Sequence, residues 1–168
     1  QKNSLSPALW NALGLLESQE CGNVARAEKV YEKAFQSVPA GSRGALYHAL
    51  GVMRGRQNRV EESISLFKEG IVDHPHYVSL YLGLADTYRK QGLVDLAREA
   101  YEKGAQIKPG HAALFRSFGV FEESQGNLEA SFRCWERAAQ LNPYEVRTWF
   151  RLCQAASAMN ATDRKSVV

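Results

Sequence analysis

The residues of this chain that could do chemistry are few and scattered. His74 and His76 flank Pro75 and could contact a metal ion, but a structural zinc site needs about four ligands. No cluster of cysteines or carboxylates adjoins them, and His48 and His111 are isolated. No serine or cysteine has a recognisable base partner, and no glycine-rich phosphate loop is present. The sequence therefore predicts no enzyme, no metal site and no cofactor.

The cysteines and the hydropathy pattern bear on the compartment. Cys21, Cys134 and Cys153 show no CxxC spacing, which favours core packing in a reducing, intracellular compartment over a disulfide or a metal role. A membrane span needs about 18–20 consecutive apolar residues, and no such run is present. The sequence begins at Gln1 without a signal-peptide core, which is typical of an excised or processed segment.

Composition excludes a disordered chain and leaves nucleic-acid binding open. Hydrophobic residues make up 45% of the 168 residues, which is ordinary for a chain with a buried core and too high for a disordered one. The formal net charge is +3, and no polybasic arm concentrates it. A duplex-binding domain usually carries a denser basic patch, so the charge neither requires nor excludes nucleic acid.

Proline recurs at a nearly fixed interval and marks repeating blocks. Pro39, Pro75, Pro109 and Pro143 are 36, 34 and 34 residues apart. A period near 34 residues is typical of a helix-turn-helix solenoid, in which each proline stops the second helix of a pair. The pattern predicts one array over 1–168, with helix hairpins at about 7–39, 44–75, 78–109 and 112–143, a leading helix at 146–160 and a tail at 161–168.

Residues of fixed type recur at near-constant offsets inside each block. Small residues let two helices approach closely, and large aromatics fill the space between hairpins. A residue that tolerates a left-handed backbone is expected where each leading helix ends. Any four-helix bundle also spaces its aromatics helically, but the offsets favour the solenoid. The small residues are Gly14, Gly51, Ala85 and Gly119, then Ala27, Ser63, Ala97 and Ser131; the aromatics are Trp10, Tyr47, Tyr81 and Phe115, then Tyr31, Phe67, Tyr101 and Trp135; the turn residues are Gly22, Asn58, Gly92 and Gly126.

These offsets resemble the tetratricopeptide repeat (TPR). Its pattern of Trp, Leu-Gly, Tyr, Ala, an aromatic and Pro is met at most positions between residues 7 and 160, with one extra residue near the first turn. The resemblance implies an all-α fold, a right-handed α-α superhelix (TPR-like solenoid) of four helix hairpins plus one additional helix. It also implies a protein-interaction scaffold, because ordinary members of the family mostly bind protein partners.

Several blocks are also similar to the related half-a-TPR (HAT) repeat. Its leading helix carries two aromatics and a glutamate, as in Phe115, Phe118 and Glu122, and its trailing helix matches the segment WERA at 135–138. The second block departs from this pattern with Arg54 in place of the glutamate. HAT proteins are typically parts of nuclear RNA-processing or plastid RNA-stability machinery. The resemblance therefore implies a scaffold in such an RNA-processing or organellar assembly, in the nucleus or a plastid, with single-stranded RNA as a further ligand.

In solenoids of this family the leading helices line a concave groove, and the resemblance places a moderately basic set of side chains there. Arginine pairs with phosphates or carboxylates and stacks on unpaired bases. A surface cation more often only solvates a helix, so the prediction rests on the set. The candidate binding residues are His48, Arg56, Arg89, Lys90, Arg116, Arg147 and Arg151.

Other functions remain open beside an RNA assembly. The main alternative is an ordinary TPR adaptor, cytoplasmic, that binds a peptide or a partner helix and has no RNA role. Capture of acidic chaperone tails is disfavoured, because Leu82, Asp86 and Ser117 occupy positions where the family's clamp has lysine and asparagine. Self-association through the open C-terminal end is a third alternative, since Trp149 and Leu152 have no trailing helix to cover them.

Overall fold

The computed structural model of the chain describes residues 6–20 and 23–166, and every element in that part is helical. The order matches the predicted four helix pairs and one further helix. The elements are α1 (Pro7–Leu15), a π-helical segment (Leu16–Glu20), α2 (Val24–Ser37), a 3-10 turn (Ala40–Ser42), α3 (Gly44–Arg56), α4 (Val60–Asp73), α5 (Val78–Lys90), α6 (Val94–Ile107), α7 (Ala112–Ser124), α8 (Leu128–Leu141) and α9 (Val146–Ser166).

The helices form two compact units, Gln1–Leu93 and Val94–Val168. In the first unit α2 packs on α1, and α4 packs on both α3 and α5. In the second unit α6 packs on α7, and α8 packs on both α7 and α9. No helix in the described part of the chain has the length and hydropathy needed to cross a membrane. The single array over 1–168 stays a prediction.

Local signals in the sequence fix where several helices begin. The Ser6 hydroxyl accepts a hydrogen bond from the Leu9 N–H at 3.3 Å, and Pro7 follows at the first helical position. His111 caps α7 through Nδ1, which accepts from the Leu114 N–H at 3.2 Å. Such side-chain acceptors satisfy N–H groups that have no partner inside the helix.

The turns between paired helices adopt the left-handed backbone that the sequence predicts. The φ angles are +61° at Asn58, +72° at Gly92 and +77° at Gly126. Glycine and asparagine tolerate this region because other side chains clash with the following carbonyl. The prediction is confirmed at these three positions, and the fourth, Gly22, lies outside the described residues.

Two short segments accommodate the irregular repeat lengths. The extra residue of the first block lies near the π-helical segment Leu16–Glu20, and a π turn inserts one residue into a helix without ending it. The longer first proline interval falls where the 3-10 turn Ala40–Ser42 precedes α3.

The last helix is longer than the sequence predicts. A turn is expected near Asn160, yet α9 continues from Val146 to Ser166. No glycine or proline interrupts this stretch, and Ala155, Ala156 and Ala158 are strong helix formers. The predicted tail at 161–168 is therefore helical as far as Ser166.

Three of the trailing aromatics each pack against a leading-helix glycine. Phe67 of α4 is 1% exposed. A Cβ added to Gly51 of α3 would lie 2.7 Å from Cε1 of its ring, and one added to Gly83 of α5 would lie 2.6 Å from the same atom. One ring thus occupies the space between two neighbouring leading helices. The equivalent pairs are Tyr31 with Gly14 and Trp135 with Gly119.

Ion pairs of opposite polarity join consecutive repeats in the two units. In the second unit, Arg98 Nε of α6 donates to Glu122 Oε1 of α7 at 2.8 Å, and the Glu122 side chain is 2% exposed. In the first unit, Arg54 of α3 pairs with Glu28 of α2. Arg54 and Glu122 each follow their leading aromatic by seven residues. The departure from the HAT pattern at Arg54 is therefore matched by a reversed charge on the helix before it.

We predict that Gly51→Ala destabilises the chain. Alanine is the better helix former by about 1 kcal/mol, but its methyl group would overlap the Phe67 ring, and overpacking typically costs about 1–3 kcal/mol. Urea unfolding followed by circular dichroism measures the net change, expected as a loss of about 1 kcal/mol. Gly110→Ala, in the turn before α7 with nothing within 4 Å of the added Cβ, is the control for a glycine-to-alanine change without overlap. A gain in stability for Gly51→Ala would contradict the packing described.

We predict a strong coupling between residues 98 and 122. Arg98→Glu places two carboxylates together at a buried site and should cost about 3 kcal/mol or more. The double variant Arg98→Glu with Glu122→Arg restores the polarity seen at Glu28 and Arg54, and should recover at least about 1 kcal/mol of unfolding free energy.

The control for this charge reversal is an exposed ion pair of the same unit. Arg133→Glu reverses a charge on α8 whose partner, Glu129, is 70% exposed, and should cost no more than about 1 kcal/mol. A double variant no more stable than Arg98→Glu alone would show that polarity is not interchangeable at this junction.

Candidate functional site

An open cleft on α9 brings an aromatic ring and two arginines together. It measures about 470 Å³ and is lined by Val146, Arg147, Phe150, Arg151 and Gln154. Helical spacing places Val146, Phe150 and Gln154 in one row and the arginines in the next. Phe150 is 61% exposed and Val146 79%. An exposed aromatic bordered by cations can supply both apolar area and charge to a ligand.

The charges around this cleft are only partly neutralised. Arg116 of α7 pairs with Glu145, which directly precedes α9. Arg151 Nη1 lies 3.5 Å from Glu123 Oε1, and 48% and 39% of these two side chains are exposed. A pair so exposed contributes little to stability and can exchange for a ligand carboxylate. Arg147 is exposed, and no carboxylate in the described part of the chain pairs with it.

A smaller cleft in the first unit contains three polar residues. It measures about 210 Å³, and Arg56 of α3 and Gln57, which directly follows that helix, lie there beside Ser18. Arg56 is exposed, but the Ser18 hydroxyl already donates to the Leu15 carbonyl at 3.1 Å. The rest of the lining is apolar and comprises Leu15, Val24, Ala49, Val52 and Met53.

The other predicted binding residues of the first unit have different surroundings. His48 is half-buried with its ring 6.1 Å from that of Phe67, and burial lowers the pKa of His48, which favours the neutral imidazole. Arg89 Nε lies 3.5 Å from Asp86 Oδ1. Lys90 is exposed in the last turn of α5, where a cation is also favourable to the helix dipole.

Sequence reasoning missed the apolar part of the α9 cleft. Phe150 directly follows the aromatic Trp149, just as the predicted Arg116 follows Phe115. The position directly after the leading aromatic could therefore have identified Phe150 from the sequence. The prediction considered only polar residues at that position. In the second unit the predicted Arg147 and Arg151 line one cleft together with Phe150.

The open end of α9 is partly covered by its own connector. Trp149 is 45% exposed, and its Nε1 donates to the Pro143 carbonyl at 2.8 Å. Tyr144 in the connector is 94% exposed. Self-association through this end stays a prediction.

Two of the groups that could do chemistry, Tyr47 and Cys134, are engaged in packing. Tyr47 donates to Asp73 Oδ2 at 2.8 Å, and burial with this contact raises the pKa of Tyr47 to about 12. Burial likewise raises the pKa of Cys134 to about 12, so its thiol is a poor nucleophile. Cys153 is exposed, so the core packing predicted for it is wrong. Cys21 lies outside the described residues. Among the residues described, no three or more His, Cys, Asp or Glu side chains form a metal-binding group.

Comparisons with known proteins address the family and the fold. The family model of the tetratricopeptide repeat matches residues 48–112. A search of curated proteins gives no match. A chain of the APC/C hetero-tetramer Cut9–Hcn1 has a TM-score of 0.68 at 15% identity, over 90% of this chain and 30% of that one. The chain thus spans less than a third of that relative.

For two further solved structures, the match extends over most of the matched chain. MamA from AMB-1 has a TM-score of 0.63 at 18% identity, over 94% of this chain and 84% of that one. The first TPR of Spaghetti (RPAP3), bound to the HSP90 peptide SRMEEVD, has a TM-score of 0.63 at 16% identity, over 70% of this chain and 94% of that one.

These likenesses confirm the predicted fold class, an all-α solenoid of the TPR type. The HAT subtype stays a prediction. The fold indicates a scaffold for protein-protein interaction. The resemblance to the tetratricopeptide repeat is therefore supported, and residues 48–112 are the segment that the family model identifies.

Proposed function

We propose that the chain is a non-enzymatic adaptor that binds an acidic peptide segment with one apolar side chain in the α9 cleft. The observation that carries this proposal is the exposure of Phe150, at 61%, beside Arg147 and Arg151 in the same cleft. The apolar side chain of the ligand would cover the ring, and its carboxylates would pair with the two guanidinium groups.

Both contacts are favourable on physical grounds. Covering apolar surface contributes about 25 cal/mol per Å², and an aromatic residue in a cleft is a common centre of binding energy at interfaces. Arg147 has no carboxylate partner among the described side chains, so pairing it with a ligand breaks no existing contact. Gln154 lies at the edge of the cleft and can both donate to and accept from a peptide backbone.

The proposed ligand differs from an acidic chaperone tail. The Spaghetti (RPAP3) domain is described as bound to an HSP90 peptide, which supports peptide binding by this fold. This chain, however, has Leu82, Asp86 and Ser117 at the lysine and asparagine positions of the acidic-tail clamp. The apolar Phe150 takes the place of those polar contacts in our proposal.

Selection from a random peptide display library tests this ligand chemistry. We expect enriched peptides to carry aspartate or glutamate around one apolar residue. Affinity for an enriched peptide should fall about tenfold or more in Phe150→Ala and in Arg147→Glu, because each removes a contact worth more than about 1 kcal/mol. Isothermal titration calorimetry provides the measurement.

Matched controls in the same unit keep this test specific. Tyr144→Ala removes an aromatic that is 94% exposed outside the cleft, and Arg133→Glu reverses a charge on α8. Both should bind as the wild type does. Equal losses in Phe150→Ala and Tyr144→Ala would exclude the cleft as the binding site.

A second candidate function is a scaffold in an RNA-processing or organellar RNA-stability assembly that contacts single-stranded RNA. It is supported by the HAT-like residues of the fourth block and by three exposed cations, Arg56, Lys90 and Arg147, that have no carboxylate partner in the described ranges. A nuclear or plastid location goes with this alternative, and a cytoplasmic one with the adaptor.

A salt titration with a single-stranded RNA oligonucleotide distinguishes the two candidates. A plot of the logarithm of the binding constant against the logarithm of the salt concentration has a negative slope when phosphates are contacted. Each phosphate contact with a single strand contributes about −0.7 to that slope. The RNA candidate requires such a slope and its reduction in Arg147→Glu or Lys90→Glu. No measurable binding at low salt would remove RNA and leave the adaptor.

A further inference from the structure

The two arginines of the α9 cleft differ in their ionic partners. Arg151 Nη1 of α9 lies 3.5 Å from Oε1 of Glu123, in the last turn of α7. Arg147, one helical turn before Arg151, has no carboxylate partner in the part of the chain that the structure describes. A ligand carboxylate therefore meets a free guanidinium group at Arg147 and one that already has a counterion at Arg151.

The ion pair between Glu123 and Arg151 is not part of the repeat pattern. Two residues after the leading aromatic, where α9 has Arg151, the four earlier leading helices carry small residues, namely Ala12, Ala49, Gly83 and Ser117. Eight residues after the aromatic, where α7 has Glu123, the three earlier leading helices carry Ser18, Gly55 and Arg89. The pair is therefore a special feature of the junction between α7 and α9.

Glu123 contributes little to the stability of its own helix. A carboxylate in the last turn is unfavourable, because the C-terminus of a helix carries a partial negative charge, and the last turn of α7 contains no basic residue. The neighbouring Glu122 is buried and bonded to Arg98. Glu123, in contrast, is 39% exposed, and ion pairs so exposed are worth little. Helix stability therefore does not explain the presence of a carboxylate at Glu123.

The charges at the cleft nearly cancel. Arg116 of α7 pairs with Glu145, and Arg151 pairs with Glu123. These two pairs are neutral, and the positive charge that is left belongs to Arg147. A first ligand carboxylate gains the attraction of Arg147. A second one at Arg151 only replaces the carboxylate of Glu123 and is repelled by it.

We propose that Glu123 is a specificity-determining residue that restricts the α9 cleft to ligand segments with one carboxylate beside the apolar side chain. This inference rests on the proposed function of the cleft and defines its ligand more narrowly. Glu123 pairs with Arg151 when no ligand is bound and disfavours a second acidic group there, which is selection by repulsion. A segment rich in acidic residues therefore binds no better than a segment with a single aspartate or glutamate.

Parallel selections from one random peptide display library, on the full chain and on its Glu123→Gln variant, test this selectivity. Enriched peptides should carry about one acidic residue on the wild type and about two on Glu123→Gln, because glutamine leaves the Arg151 guanidinium without a charged acceptor.

Isothermal titration calorimetry then compares an enriched peptide that has one acidic residue with a version that carries a second aspartate. On the wild type the second aspartate should change the affinity by less than about twofold. On Glu123→Gln it should improve the affinity about threefold to fivefold, the gain expected of one exposed ion pair.

Two matched variants localise the effect. Glu129→Gln makes the same change of charge at a carboxylate of α8 that is 70% exposed, and it should select the same peptides as the wild type. The double variant Glu123→Gln with Arg151→Gln should lose the gain from the second aspartate. Circular dichroism checks that all variants are folded, and the urea midpoint of Glu123→Gln should equal that of the wild type.

The outcomes separate the role of Glu123 from the proposed function of the cleft. Enrichment of acidic peptides with an apolar residue to the same extent on the wild type and Glu123→Gln would overturn the role of Glu123 and leave the proposed function standing. The role is also overturned if Glu129→Gln acts as Glu123→Gln does, or if the gain persists without Arg151. Failure of the wild type to enrich such peptides would overturn both proposals.

Discussion

The packing of one aromatic ring against two residues without side chains determines the arrangement of the first unit. Phe67 is almost fully buried because Gly51 and Gly83 leave room for its ring on either side. A Cβ on either glycine would overlap the ring, so α3 and α5 can approach only as closely as the thickness of one aromatic allows. Interior packing tolerates little change in volume, and the spacing of the leading helices follows from this contact.

Aromatic packing alone would let any repeat follow any other, because the same contact recurs at Tyr31 and Trp135. The ion pairs restrict which trailing helix can pack on which leading helix. A glutamate on α2 meets an arginine on α3, whereas an arginine on α6 meets a glutamate on α7. Exchanging the two trailing helices would bring like charges together at both junctions. Buried pairs are weak evidence for stability but can specify register, and we infer that role here.

The sequence predicts those features that depend on a single residue type at a single place. Small residues, trailing aromatics and left-handed turns such as Asn58 were identified by offset, since each position excludes most other side chains. Features that depend on two distant residues were not identified. The partner of Arg54 is Glu28, and no local pattern links them. The continuation of α9 past Asn160 likewise reflects the absence of a stop signal, which is harder to recognise than its presence.

The basic residues divide into two groups once the contacts are known. Arg54, Arg98 and Arg116 pair with carboxylates of neighbouring elements and hold the repeats together. Arg56 and Arg147 are exposed and have no such partner in the described part of the chain. The 21 lysine and arginine residues therefore overstate what a polyanion could contact, because several of these cations are already engaged. An apolar group such as Phe150 is not neutralised in this way, so its exposure is the stronger indication of a binding surface. Hence peptide binding takes precedence over RNA binding in the proposed function.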